Sequence, residues 1–334
     1  MHDYTDFLKD YSSPVYIYDL DGLKKRAEFF KSHMPKNGEA HFAMKANNNP
    51  HVLKVLKDLG YGADVVSLGE LKLAIESGFS PEKIVFSGVG KSIKEIKGAL
   101  EAQISQINVE SLAELERIVE VAKEMKAVAR VAFRMNPDVD ADTHPYIRTG
   151  FRDNKFGIDF SESSALLSII KKNKAAVELC GLTLHIGSQL REVAPFQAAI
   201  EKTLELYKSI QSSGLALSTF DVGGGVGIDY SSGEIEKDNE LIVSYMSTVK
   251  GLLEDKVERV YFEPGRILTA RFGVLLTEIQ YIKRTPHKNF IIVDAGMHLL
   301  MRPSLYQAYH RIEPAVKSES PNEVFDVVGP ICES

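Results

Sequence analysis

The chain has 334 residues, 44% hydrophobic and 26% charged, a composition that excludes disordered and fibrous classes. A formal net charge of -6, from 40 basic and 46 acidic residues, offers no basic surface to nucleic acid or an anionic membrane. Two cysteines, Cys180 and Cys332, exclude a disulfide framework and a cysteine-based metal site, and no apolar run approaches the length of a membrane span.

The first residues lack the basic start and apolar stretch of a signal peptide, which predicts a cytoplasmic protein acting on a small molecule. Pro14–Asp19 (PVYIYD) then reads as an isolated strand. Eight further strand candidates follow: His41–Ala46, Ala63–Ser67, Ile84–Gly88, Gln106–Glu110, Val128–Met135, Leu182–Ile186, Thr219–Val222 and Val260–Glu263. Between the early ones lie amphipathic runs, Pro50–Leu59, Gly69–Ser77 and Ile93–Glu101, with apolar residues at helical spacing and Asn, Ser or Pro at several starts. Strands alternating with helices predict βαβ units and a parallel sheet, and eight units predict a closed (β/α)8 TIM-type barrel. After Arg266 the pattern changes. Phe272–Ile282, Phe290–Asp294 and Glu323–Val328 read as antiparallel strands without intervening helices, so a second, β-rich domain is expected from both chain ends. The expected division is a barrel over 28–268 and a β domain from 1–27 and 269–334.

In such barrels the chemistry sits just after the C-terminal strand ends. Polar and Gly-rich clusters fall there: Lys45, Asp64 with Ser67, Arg134 with Asn136, His185, Gly223–Gly225 and Glu263. A lysine flanked by small apolar residues (AMKAN) is expected to be partly desolvated, which lowers its pKa and frees a neutral amine for a Schiff base. Three glycines in DVGGG free backbone N–H groups to face an anion such as a phosphate. The carboxylate of EPGR suits a pyridine nitrogen, and the imidazole of HIGSQ suits the face of a ring. Arg302 and Tyr306 in RPSLY bring together a guanidinium and a phenol, a pairing suited to a carboxylate. Cys332-Glu333-Ser334 offers a proton donor and an anion. Each segment taken alone has a bland reading, as a surface lysine, a tight turn, a structural histidine, a solvated ion pair or a frayed end.

Taken together and in order, the segments resemble the fold-type III pyridoxal-phosphate decarboxylases, the ornithine/diaminopimelate/arginine decarboxylase family. The likeness runs from Pro14 to Ser334 through PVYIYD, FAMKAN, GADVVSLGEL, IVFSG with Lys91-Ser92, RMNPDV, THPYIRTG with KFGI, HIGSQ, DVGGG, EPGR, DAGM with RPSLYQAYH, and GPICES. It implies that Lys45 carries pyridoxal 5'-phosphate, His185 stacks on its ring and Glu263 pairs with the pyridine nitrogen. It further implies that Asp64 belongs to the cofactor site, and that Ser188, Gly223, Gly224, Gly225, Gly265 and the Arg266 backbone hold the phosphate. The Arg-Pro-x-Leu-Tyr segment and Cys-Glu-Ser resemble the diaminopimelate-acting branch. For that branch Arg266, Arg302 and Tyr306 would take a distal carboxylate, and Glu333 and Ser334 its ammonium. Cys332 or Lys45 would return a proton to Cα, and a head-to-tail homodimer would complete each site. The implied reaction is decarboxylation of meso-2,6-diaminopimelate to L-lysine in lysine biosynthesis, with no metal. Two alternatives stay open: a related decarboxylase for a carboxynorspermidine-like or carrier-bound substrate, and a non-catalytic cofactor-binding homologue. Members of the resembled family continue beyond Cys-Glu-Ser, so the β domain is expected to be either truncated, lacking strands and with exposed edges, or minimal here.

Overall fold

The computed structural model describes residues 4–139, 154–316 and 323–332. In chain order its strands and helices are β1 (Val15–Tyr18), α1 (Leu20–His33), β2 (Gly38–Ala43), α2 (Pro50–Asp58), β3 (Gly62–Val65), α3 (Leu68–Glu76), β4 (Ile84–Phe86), α4 (Ile93–Glu101), β5 (Gln106–Val109), α5 (Leu112–Met125) and β6 (Ala129–Met135). There follow α6 (Ser163–Lys172), β7 (Val177–Leu184), α7 (Ala194–Ser212), β8 (Thr219–Asp221), α8 (Ile235–Leu253), β9 (Arg259–Phe262) and α9 (Arg266–Thr269). The last are β10 (Gly273–Leu276), β11 (Ile279–Arg284), β12 (Asn289–Val293), α10 (Arg302–Tyr306) and β13 (Asp326–Val328).

Strands β2 to β9 form a closed, all-parallel barrel in sequence order, sealed by pairing of β2 with β9. The residues that start α2 to α5 are capping residues by chemistry. Asn49 accepts the His51 N–H ahead of Pro50, Ser67 caps α3, Ser111 caps α5, and Ser92 with Glu95 forms a reciprocal capping box on α4. Each helix buries one stripe against the strands, as Leu115, Ile118, Val119 and Ala122 of α5 do.

The expected strands are present, with shifted edges. The first ends at Ala43, and Met44–Ala46 is a 3-10 turn, so Lys45 sits just past the strand. Strand β7 begins five residues before the expected Leu182, because Val177–Leu179 and Gly181 also pair with β6. That pairing carries a bulge: Leu179 faces Val131 and Gly181 faces Ala132, leaving Cys180 as the extra residue with its thiol donating to the Val131 carbonyl at 3.1 Å.

The chain divides into two compact units, one of 20–228 and 234–271, the other of 1–19, 229–233 and 272–334. The dividing points therefore fall at Leu20 and Arg271 rather than at 28 and 268, and 229–233 fall with the smaller unit. In that smaller unit β1 pairs antiparallel with β10, and β11–β12–β13 form a separate sheet. Two expectations need correction. Phe272–Ile282 is two strands rather than one, broken before Ile279, and β13 pairs parallel with β12. A parallel neighbour requires a crossover, and the segment between β12 and β13 includes the short helix α10. Strand β11 is exposed along its whole length. Among the described residues no helix is long and apolar enough to cross a membrane.

Candidate active site

The barrel strands bring their polar residues inward at period two, and at the C-terminal ends these residues meet. The Lys45 ammonium donates to Asp64 Oδ2 at 3.0 Å across the β2–β3 pair. Half of the Lys45 side chain is exposed, while Asp64 is wholly buried. No donor reaches the other Asp64 oxygen. Burial pulls the Lys45 pKa down and the nearby Arg134 adds to that pull. The carboxylates of Asp64 and Glu263, with the Asp64 hydrogen bond, outweigh both and raise it. The expected depressed amine is thus corrected: two acidic neighbours, invisible in AMKAN, hold Lys45 as an ammonium.

Glu263 follows β9 and is buried among neutral donors. Its Oε1 lies 3.3 Å from both Ser87 Oγ and Asn108 Nδ2. Asp221, at the end of β8, takes the Gly223 N–H on Oδ1 at 2.8 Å. No hydrogen-bond partner among the described residues reaches its Oδ2. Burial, then the Asp221 and Asp64 charges, drive Glu263 well above the ordinary carboxylate range, and burial also raises Asp221. The pair therefore holds its protons to higher pH than ordinary carboxylates do.

His185 sits just beyond β7, and its Nδ1 accepts the Gly224 N–H at 3.2 Å. An accepting Nδ1 carries no proton. Burial, then Arg134 and Lys45, push this imidazole well below its ordinary value, which keeps it neutral. The glycine loop is packed as only glycine permits. A Cβ at Gly224 would lie 2.2 Å from the Glu263 carbonyl, and one at Gly225 2.4 Å from the Gly187 carbonyl. Gly223–Gly225, Val226, Pro264 and Gly265 line a small cleft here. Arg266, the first residue of α9, donates through Nε and Nη2 to Ser188 Oγ at 3.4 and 3.2 Å. The barrel unit thus brings together Lys45, Asp64, His185, Ser188, Gly223–Gly225, Glu263, Gly265 and Arg266 at one rim.

Two residues around them, Glu110 and Glu114, lie outside the motifs read from sequence. Arg134 donates to Glu110 Oε1 at 2.6 Å, and Glu110 Oε2 accepts the Gly157 N–H at 2.9 Å. Glu114 then accepts the Glu110 N–H at 2.6 Å and the buried Lys91 ammonium at 3.0 Å. The available clue was polar residues recurring at alternate positions within strands buried on every side, as in Gln106 and Asn108. Ser67, by contrast, caps α3 and takes no part at the rim.

In the smaller unit Arg302 begins α10 and donates to His310 Nε2 at 2.9 Å. Its guanidinium lies 4.7 Å from the Tyr230 ring centroid, a cation–π distance. Tyr306 ends the same helix. Cys332 is a free, exposed thiol. Glu333 and Ser334 lie outside the described residues, as does the whole of THPYIRTG. Among the described residues no cluster of three potential metal ligands occurs.

Comparison with known proteins places this arrangement. Residues 20–270 match the family model described as "Pyridoxal-dependent decarboxylase, pyridoxal binding domain". The chain is similar to the diaminopimelate decarboxylase of Aquifex aeolicus, 41% identical over 98% of this chain and 77% of that protein. It is also similar to that of Vibrio cholerae, 42% identical over 99% and 78%. The crystal structure of diaminopimelate decarboxylase from Helicobacter pylori complexed with L-lysine superposes with a TM-score of 0.92 at 40% identity, covering 99% of this chain and 82% of that one. The chain belongs to the diaminopimelate decarboxylases, within the pyridoxal-dependent decarboxylase family.

Proposed function

We propose that this protein decarboxylates meso-2,6-diaminopimelate to L-lysine and CO2 with pyridoxal 5'-phosphate, the last step of lysine biosynthesis. The observation that carries this reading is the rim arrangement of Lys45 on Asp64 with buried Glu263 beside the glycine loop. The fit of pyridoxal phosphate to these residues is supported from inside the site. Asp64 has a buried oxygen without a donor, and the loops at Gly224 and Gly225 approach so closely that no side chain is tolerated.

When bound, the cofactor supplies the electron sink that takes up the pair left as CO2 departs. The chain supplies the rest. Lys45 is the amine that carries the cofactor, and Asp64 takes up the proton that the ammonium must release. Glu263 would pass its proton to the pyridine nitrogen and, as a carboxylate with Ser87 and Asn108 donating to its Oε1, hold that nitrogen positive. His185, neutral and fixed by Gly224, offers a flat uncharged face. Ser188, the backbone of Gly223–Gly225 and Gly265, and Arg266 receive the phosphate. Arg302 and Tyr306, with Arg266, are the proposed partners of the distal carboxylate, and Glu333 and Ser334 those of its ammonium. Cys332, or Lys45, returns the proton to Cα after CO2 leaves. Likeness to the family supports a homodimer whose protomers share their sites, and the free thiols suit a cytoplasmic setting.

The test is incubation of the purified protein with pyridoxal phosphate and meso-diaminopimelate while lysine and CO2 are followed, with Lys45→Ala as control. Lysine release that is lost in Lys45→Ala supports the reaction and the nucleophile together. A cofactor band removed by Lys45→Ala, without lysine, would overturn the substrate assignment and leave cofactor binding.

A further inference from the structure

The residue after Ser188 has an unusual backbone. Gln189 adopts φ of 67°, in the left-handed region that costs a non-glycine residue about 1 kcal/mol or more. Nothing about residue type favours glutamine there. The side chain explains why the position is kept: Gln189 Nε2 donates to the Ile228 carbonyl at 2.6 Å, and Gln189 Oε1 accepts the Ile228 N–H at 3.3 Å. Both faces of one amide are thus matched to both backbone groups of one residue, in the geometry of a strand pair.

Around this clamp the two loops interlock. The Leu190 N–H donates to the Gly225 carbonyl at 2.9 Å, and the Gly227 N–H to the Leu190 carbonyl at 2.8 Å. Leu190 and Val226 form an isolated parallel bridge. A Cβ at Gly227 would fall 2.8 Å from the Gln189 carbonyl carbon, and one at Gly225 2.4 Å from the Gly187 carbonyl. The segment after β7, which carries Ser188, is therefore locked to the segment after β8, which carries Gly223–Gly225. A phosphate held by both loops needs their donors at a fixed separation, because charge-assisted hydrogen bonds weaken steeply outside a narrow distance and angle range.

We propose that Gln189 is a positioning residue for phosphate binding, whose side-chain amide holds Ser188 and the Gly223–Gly225 backbone in register without touching the ligand. This rests on the reading above that those residues receive the cofactor phosphate. It predicts a selective effect. Loss of the amide weakens ligands that carry the phosphate far more than the same ring without it, because Lys45 and Asp64 lie outside the clamp, and His185 and Glu263 touch the clamped loop only through single backbone hydrogen bonds at Gly224 and Gly223.

The test compares pyridoxal phosphate with pyridoxal as ligands of the cofactor-free protein, reading dissociation constants by absorbance for the parent chain, Gln189→Ala, Gln189→Gly and Gln189→Glu. The parent is expected to prefer the phosphorylated ligand strongly. Gln189→Ala is expected to lose about tenfold or more of that preference with pyridoxal affinity within about twofold of the parent. Gln189→Gly relieves the left-handed backbone and lacks the amide, so an equal loss there assigns the effect to the side chain. Gln189→Glu keeps the acceptor for the Ile228 N–H and loses the donor, so an intermediate loss is expected. A parental preference in Gln189→Ala or Gln189→Gly, or equal weakening of both ligands, overturns the proposal while the phosphate site stands. A parent chain with no preference for the phosphorylated ligand would overturn the phosphate site itself.

Discussion

Lys45 and Asp64 lie just beyond and at the ends of two paired parallel strands, with Nζ 3.0 Å from a carboxylate that is wholly buried. The contact sets the resting state of the site: a charged amine facing a charged acid. Asp64→Asn keeps the shape and removes the charge, leaving Glu263 alone to oppose burial and Arg134, which pull the Lys45 pKa down. The pH midpoint for reaction of Lys45 with an aldehyde reagent is expected to fall by about one unit or more. Lysine formation at neutral pH is expected to drop roughly tenfold or more, since the proton acceptor is gone. An unmoved midpoint would mean that Asp64 does not govern this amine.

Glu263 makes the cofactor-free protein sensitive to alkali. Its folded pKa is raised, so the folded state holds a proton that the unfolded chain releases above about pH 4.3. Stability from this group is complete below that pH and declines as pH rises toward the folded value, by roughly 1.4 kcal/mol per pH unit. Asp221 shares the titration, so the pair rather than either residue sets the range. Urea unfolding at pH 5 and pH 8 checks this. Glu263→Gln is expected to gain on the parent between the two, and a constant difference would count against the shared proton.

His41 has the opposite sign. It is fully buried on β2 with its ring 4.3 Å from that of Tyr261, and no partner reaches Nδ1. Burial, with Lys83 and Arg259 adding to it, pushes its pKa down to about 3. Stability from the neutral ring is therefore present above about pH 6.5 and lost as pH falls toward 3, by roughly 1.4 kcal/mol per pH unit. His41→Phe keeps a ring beside Tyr261 and cannot ionise. Its acid unfolding midpoint is expected to lie below the parent's, and coincident midpoints would place the acid sensitivity elsewhere.

Two glycines give contrasting stability predictions. A Cβ at Gly181, beside the β7 bulge, would lie 2.0 Å from Thr219 Oγ1 and 2.2 Å from the Thr219 carbonyl. Gly181→Ala is expected to cost about 1–3 kcal/mol or more. Gly251 in the last turns of α8 meets nothing within 4 Å, and Gly251→Ala is expected to stabilise by about 0.5–1 kcal/mol. Thermal unfolding checks both signs, and a shared sign would refute the packing argument at one of them.

Much of the barrel was legible because its signals are local. The early strands are short apolar runs next to capped helices, as at Ser92 and Glu95, and period and caps need only neighbours in sequence to be read. Glycines with no room for a Cβ, such as Gly224 and Gly225, mark the crowded rim for the same reason. The parallel pairing of β12 with β13 was not legible, because strand direction depends on where an intervening segment returns the chain.

By itself, the sequence determined the alternation of strands and helices, the placing of Lys45, His185, Gly223–Gly225 and Glu263 at strand ends, and the family likeness. The tertiary structure alone decided the charges. Whether Lys45 is an amine or an ammonium depends on Asp64 and Glu263, and whether Glu263 keeps a proton depends on Asp221 and on burial. Gln189 likewise shows its purpose only when Ile228 is brought against it. Electrostatic energy and hydrogen-bond geometry depend on distance in space and on exclusion of water, and neither is written in the order of residues.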